Sequence, residues 1–365
     1  MLIKQLRQLG LDGIQGRQHG AHYNRTQIFQ QLMKTYYGRF APTPSGPLHA
    51  GSLLAALGSY LDAHAHGGHW LLRIEDIDPP RVRPGAADAQ IRSLAAYGFE
   101  WDGEIVWQSQ RLALYAEALN ALRDHVYLCA CSRKTLAAHA RSGVDGPVYP
   151  GTCRHAKHPP PGAMRFIVPN TRIHFDDALQ GHIGCDIARE CGDFVLRRAD
   201  GVVSYQLAVV VDDAAQGITH VVRGADLIAS TPRQIALQAA LNLPTPSYLH
   251  LPVLLDAAGD KLSKQTLAAP LDDRHPLPAL LHSMRHLGFT PPEPPASLSE
   301  FWAWAHEAWQ RTALPRVMAL RAENHKDQGT TRIQAVVILD THKTHPDNAR
   351  PFAGEVAQTV RAADS

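Results

Sequence analysis

Two short stretches and one group of thiols carry the side chains best suited to chemistry. In residues 38–52, Gly46 and Gly51 flank His49 and precede Ser52, after an apolar run and before a helical pattern. A helix begins with unpaired N–H groups and the positive end of its dipole, so a turn of this kind suits phosphate, and glycine lets the phosphate approach the backbone. The run Lys261-Leu262-Ser263-Lys264-Gln265 sets two ammonium groups around a hydroxyl. Such a loop can neutralise charge on a triphosphate, and it accelerates a reaction because that charge is larger in the transition state. Cys129, Cys131 and Cys153 form the third group. Clustered thiols point to zinc, which takes four ligands in structural sites, and His155 is the chemically common choice nearby for a fourth. The bland readings are a structural turn, a solvated loop and three free thiols.

These groups need a scaffold to hold them. Apolar spacing predicts a strand over 36–41, a Pro/Gly/Ser turn over 42–47, a helix over 48–65 and a strand over 69–74. Strand, turn, helix and strand in succession open an α/β doubly wound domain. Helical patterns follow at 85–97 and 111–123, then a Cys, His, Pro and Gly-rich segment from 127 to about 162 interrupts the alternation. Apolar runs return at 194–196, 204–211 and 220–222, with Tyr205 read as the start of a strand. Helices are expected at 231–241, 276–287 and 297–309, and a strand at 251–255. With 36 Lys and Arg against 34 Asp and Glu in 365 residues, the chain is neither a polybasic nucleic-acid tail nor an acidic disordered protein. The apolar run 207–211 is far shorter than the ~20 residues of a membrane helix, so no membrane association is expected. An odd number of cysteines, five, argues against a disulfide framework, and a cytoplasmic protein is expected.

In order and context, the His49 and Lys264 stretches resemble the HIGH and KMSKS signatures of class I aminoacyl-tRNA synthetases. The glutamyl branch matches further. Its likeness is carried by Arg39-Phe40-Ala41-Pro42-Thr43-Pro44-Ser45, Arg73-Ile74-Glu75-Asp76-Ile77-Asp78, and Trp107-Gln108-Ser109-Gln110-Arg111. It continues through residues 193–198, 205–213 and 222–234, so that the resemblance spans about 37–315. Truncated paralogues of that branch, which attach glutamate to queuosine in the anticodon of aspartate tRNA, are the more specific likeness. One departure is Ser52, where the signature carries a second His.

The resemblance implies a Rossmann-like doubly wound parallel sheet over 36–275, with a zinc-binding insertion at about 124–193 and a short helical segment at 276–315. Residues 1–35 and 316–365 then stand as peripheral extensions. It implies that Arg39 and Arg223 hold substrate carboxylate, Glu75 faces the ammonium, Tyr205 supplies a hydroxyl, and Phe40, Ala41, Pro42 and Thr43 line the glutamate pocket. Arginine suits this task because its planar fork binds a carboxylate bidentately. Gly46, His49, Gly51, Ser52 and Lys264 are assigned to ATP, with His49, Lys261 and Lys264 as the catalytic set and Mg²⁺ bridging phosphates. Tyr149 joins Cys129, Cys131 and Cys153 as the implied zinc ligand, with His155 the alternative. Arg133, Lys134, Arg141, Arg154 and Lys157 would supply phosphate contacts. The expected partners are L-glutamate, ATP and tRNA(Asp) carrying queuosine, and a monomer is expected. Two other readings compete. One is a truncated ordinary glutamyl enzyme charging the tRNA 3′ end, disfavoured because only about 50 family-like residues follow Lys264. The other is a non-catalytic RNA-binding paralogue.

Overall fold

The opening strand and helix follow the spacing of their leucines. The computed structural model describes residues 35–321, apart from 133, 137–139, 144–145, 157 and 257–268, together with 334–336. Strand β1 (Tyr37–Phe40) leads into helix α1 (Ala50–Ala65), whose Leu53, Leu57 and Leu61 are buried, and then into β2 (His69–Ile74). Helix α2 (Ala86–Ala96) connects to the short β3 (Val106–Trp107), and α3 (Leu112–Ala121) follows. β1 pairs parallel with β2, Arg39 opposite Leu71, and β2 pairs parallel with β3.

Next come β4 (Val126–Cys129), a small hairpin of β5 (Arg141–Gly143) and β6 (Gly146–Val148), then β7 (Ala163–Phe166). β8 (Arg172–Asp177) and β9 (Gly181–Asp186) form a second hairpin, followed by the one-turn α4 (Ile187–Glu190) and β10 (Phe194–Arg197). Helix α5 (Tyr205–Ala215), β11 (His220–Gly224), α6 (Thr231–Ala240) and β12 (Ser247–Leu251) complete the second half of the alternating pattern. β13 (Val253–Leu255), α7 (Pro276–His286), α8 (Leu298–Ala308), β14 (Ala319–Arg321) and β15 (Gln334–Val336) close the described chain.

β11 pairs parallel with β12, which takes β8 on its far side, and β8 pairs antiparallel with β9. The two parallel sheets abut between β1 and β11, where the Thr219 hydroxyl accepts from Tyr37 N–H and Thr219 N–H donates to the Tyr37 carbonyl. Strand order therefore reverses there, as in doubly wound folds, and ligands bind at the carboxyl ends of strands beside such a point. Gly58 lets α1 lie against this sheet: a Cβ at that position would stand 2.3 Å from Leu251 Cδ1.

Three features differ from the expectation. Residues 205–215 form a helix, not a strand. Ser204 caps it by accepting from Leu207 N–H, and α5 is buried on nearly every face from Leu207 to Asp213, so its apolar run shows no helical stripe. The stretch 124–193 is not one insertion. β4, β7 and β10 make a separate antiparallel sheet, whereas β8 and β9 extend the parallel sheet beside β12. At the other end, β14 pairs with β13 and buries Ala319 and Leu320, so the core reaches past the boundary drawn at 316.

The two C-terminal helices pack on α1, with Leu280, Met284, Phe301 and Ala305 in the same core as Leu57 and Leu61. Buried Asp62 of α1 locks this arrangement. It accepts from Arg311 Nε and Nη2 at 2.7 Å each, from Tyr36 Oη at 2.6 Å and from Trp309 Nε1 at 3.3 Å.

Candidate active site

At the carboxyl ends of β1 and β2, two arginines converge on the last turn of α5. Buried Arg39 donates from Nε and Nη2 to the two carboxylate oxygens of Asp213, at 3.1 and 3.4 Å. Arg73 Nη2 donates to Asp213 Oδ1 at 2.8 Å and to Glu75 Oε1 at 3.5 Å, while its Nη1 donates to Gln216 Oε1 at 2.7 Å. The adjacent Asp212 collects Arg111 Nε at 2.6 Å, Gln108 Nε2 at 2.8 Å and Tyr115 Oη at 2.7 Å. Burial alone would raise the Asp213 carboxyl, but Arg39 and Arg73 hold it below the ordinary carboxylate value.

Glu75 has the opposite balance. Burial pushes its carboxyl up to about 7, against the pull of Arg73 and Arg39 and with help from the charges of Asp213 and Asp212. A site acid poised near neutrality responds to the charge of whatever binds beside it. Glu75 lines a cavity of about 170 Å³ with Thr43, Gln108, Ser204 and Tyr205, and Asp78, Arg81 and Arg198 also line it. Asp78 pairs with both of these arginines. The turn before α1 is held by Gln90, whose amide donates to the Thr43 and Gly46 carbonyls at 3.2 and 2.7 Å, and by Glu75 N–H on the Pro42 carbonyl at 3.0 Å.

Arg223, buried at the end of β11, has a different set of partners. Its Nε donates to His250 Nε2 at 3.0 Å, Nη2 to the Thr231 hydroxyl at 2.8 Å, and Nη1 to Tyr205 Oη at 3.4 Å. Unlike Arg39, Arg73 and Arg111, it meets no carboxylate directly among the described residues. A buried guanidinium with neutral partners is suited to an anionic ligand.

Away from this site, Cys129, Cys131 and Cys153 bring their sulfurs within 4.8 Å of one another. Cys131 and Cys153 Sγ are 3.5 Å apart, and Tyr149 Oη lies 3.4 Å from Cys129 Sγ and 3.7 Å from Cys131 Sγ. A tetrahedral ion with ~2.3 Å bonds to sulfur and ~2.0 Å to oxygen sets S–S edges of ~3.8 Å and S–O edges of ~3.5 Å, so these donors fit. His155 is exposed and lies outside the thiol group. Arg165 sits 3.8 Å from the Tyr149 ring centroid. Burial raises the Cys129 thiol, but its hydrogen bonding with Tyr149 and Arg165 brings it down to about 7.

Residues 36–303 match the family model for the catalytic domain of class I tRNA synthetases (E and Q). The Glutamyl-Q tRNA(Asp) synthetase of Chromobacterium violaceum is 54% identical over 286 residues, which cover 77% of this chain and 95% of that protein. That of Neisseria meningitidis serogroup B is 52% identical over 290 residues, covering 77% and 98%. The chain belongs to the glutamyl-Q tRNA(Asp) synthetase family. Among solved structures, the glutamate-tRNA synthetase of Elizabethkingia anophelis superposes with a TM-score of 0.67 at 24% identity, over 80% of this chain and 68% of that one, and so shares the fold. The protein is thus a ligase of the aminoacyl-tRNA synthetase type.

Against this background, the expected residues fall into several groups. Thr43, Glu75 and Tyr205 line the cavity, and Arg223 reaches it through Tyr205. Arg39 is tied to Asp213, so it acts as half of an ion pair rather than a lone cation. Phe40 turns into the core beside Trp70, Ala41 is half-buried, and Pro42 contributes the carbonyl that fixes Glu75. His49 caps α1, its Nδ1 accepting from Ser52 N–H at 3.2 Å, and Gly51 stands in the first turn of that helix. Lys261 and Lys264 lie outside the described residues, as do Arg133 and Lys157. Arg154 is engaged by Asp193 and Arg141 donates to the Arg189 carbonyl, so neither is a lone surface charge, whereas Lys134 is exposed. Asp212, Asp213, Gln108, Asp177 and His250 went unassigned in the sequence. Asp212 and Asp213 are a paired acidic ending to an apolar run, which is the signal that could have found them.

Proposed function

We propose that the protein activates L-glutamate with ATP and transfers it to queuosine in the anticodon of tRNA(Asp). In the first step an α-carboxylate oxygen of glutamate attacks the α-phosphorus of ATP, the bond to the β-phosphate oxygen breaks, and pyrophosphate leaves with the electron pair. In the second, a queuosine hydroxyl attacks the acyl carbon, AMP leaves with the electron pair, and the hydroxyl proton passes to solvent. Neither step needs a covalent enzyme intermediate. The observation that carries this reading is that Arg223, whose direct partners are neutral, bonds Tyr205, which lines one cavity together with Glu75.

Arg39 and Arg223 bind carboxylate and Glu75 binds the ammonium. Glutamine would leave a buried guanidinium facing a neutral amide, which disfavours it. His49 and the N-terminus of α1 face the ATP phosphates, helped by Gly46 and Gly51, and Lys261 and Lys264 stabilise charge growing on them. Mg²⁺ bound with ATP would supply further positive charge against its phosphates. A zinc ion held by Cys129, Cys131, Cys153 and Tyr149 would supply structural cross-linking of the loop-rich segment that they share. A tRNA substrate fits a cytoplasmic site of action. Glutamate-dependent exchange of pyrophosphate into ATP tests the first step. Its absence from the purified protein would favour a non-catalytic RNA-binding role.

A further inference from the structure

Behind Arg223 lies a buried pair that none of the expected motifs contains. Asp177 ends β8, the hairpin strand that joins the parallel sheet beside β12, and His250 sits within β12 itself. Both side chains are fully buried. His250 Nδ1 lies 2.6 Å from Asp177 Oδ2, while Nε2 lies 3.0 Å from Arg223 Nε. An arginine Nε–H can only donate and a carboxylate can only accept, so the ring must be neutral with its proton on Nδ1. Burial agrees, driving the imidazolium down to about 4 despite the opposing pull of Asp177.

Asp177 is itself held in place. Its Oδ1 accepts the backbone N–H groups of Leu179, Gln180 and His250 at 3.0, 2.8 and 3.2 Å. The chain of contacts then runs from Asp177 through His250 to Arg223, and on to Tyr205 in the cavity wall.

We infer that Asp177 and His250 are positioning residues for amino-acid recognition, Asp177 fixing the His250 tautomer so that its Nε2 orients the Arg223 guanidinium toward the substrate carboxylate. This rests on the reading that Arg223 binds that carboxylate. Asp177→Asn isolates the effect. The amide oxygen keeps the backbone bonds at Oδ1, but its NH₂ now donates to Nδ1, which moves the proton to Nε2 and sets it against Arg223 Nε–H. A hydrogen bond to a charged group is lost, so KM for glutamate in pyrophosphate exchange should rise roughly 10–100-fold. KM for ATP should stay within about twofold, because His49 and its helix are untouched.

His250→Gln supplies an oxygen near the position of Nε2 with no tautomer to invert. In that background Asp177→Asn should change the glutamate KM by less than about threefold. A merely structural role would instead move both KM values, or give the same factor in both backgrounds, and either result overturns the inference. Arg223→Gln separates this from the reading beneath it. If Arg223→Gln raises the glutamate KM and Asp177→Asn does not, the positioning role falls and the carboxylate role stands. If Arg223→Gln leaves that KM unchanged, the carboxylate role falls, and the inference with it.

Discussion

Glu75 offers the sharpest perturbation, because its carboxyl sits near 7 before substrate arrives. An ammonium bound beside it favours the ionised form, so glutamate binding is linked to loss of a proton. The sign is set by the raised value: above 7 the site is ready, and below 7 each bound substrate must first displace a proton. With a free-site value near 7, and the bound form held ionised across this range by the ammonium, apparent affinity varies as 1 + 10^(pKa − pH). That factor is ~11 at pH 6 and ~1.1 at pH 8, so KM for glutamate should fall roughly tenfold between them. The substrate's own carboxylates do not titrate in that range. Glu75→Gln keeps the shape and removes the titration. Its KM at pH 8 should rise roughly 10–100-fold through loss of a charge-assisted bond, and its pH profile between 6 and 8 should be flat. Initial rates of pyrophosphate exchange across glutamate concentration at five pH values measure both. A wild-type profile that is flat, or a Glu75→Gln profile that keeps the tenfold slope, would refute the assignment of Glu75 to the ammonium.

Asp213→Asn leaves Arg39 and Arg73 without their shared counter-ion. Breaking a buried pair costs about 3–5 kcal/mol, and a chain of 365 residues has an unfolding entropy of ~0.77 kcal/mol/K, so calorimetry should show Tm falling by roughly 4–7 °C. The same change removes a charge that raises Glu75, so the midpoint of the KM profile should move below 7. Elemental analysis of the purified protein should find stoichiometric zinc, which Cys153→Ser loses. Zinc-free protein that remains folded would limit the ion to a minor role in stability. Lys264→Ala should lower the maximal rate of pyrophosphate exchange roughly 10²–10³-fold with little change in KM for ATP, because the ammonium acts on charge that grows in the transition state.

The opening of the fold was legible because its signals are local. Leu53, Leu57 and Leu61 mark one helix face, and Pro42, Pro44 and Gly46 punctuate the turn before it. Arg73 and Glu75 could be read for the same reason, being two residues apart on one strand end. What the sequence hid is long-range. Arg39 meets Asp213 across 174 positions, and His250 meets Asp177 across 73. Neither pair leaves a local pattern, and a helix buried on all sides, as α5 is, looks like a strand when only its apolar run is counted. Likewise β8 and β9 join the parallel sheet only through β12, far along the chain, so they read as part of the interruption.

The central claim is that glutamate goes to queuosine, and attachment of labelled glutamate to tRNA(Asp) tests it directly. Two preparations of that tRNA, one carrying queuosine and one with unmodified guanosine at the same position, are offered to the full-length protein with ATP and Mg²⁺. Label should attach to the queuosine-containing tRNA and not to the other, and it should stay with the anticodon fragment after nuclease cleavage. Equal charging of both tRNAs, with the label on the 3′-terminal nucleotide, would contradict the account.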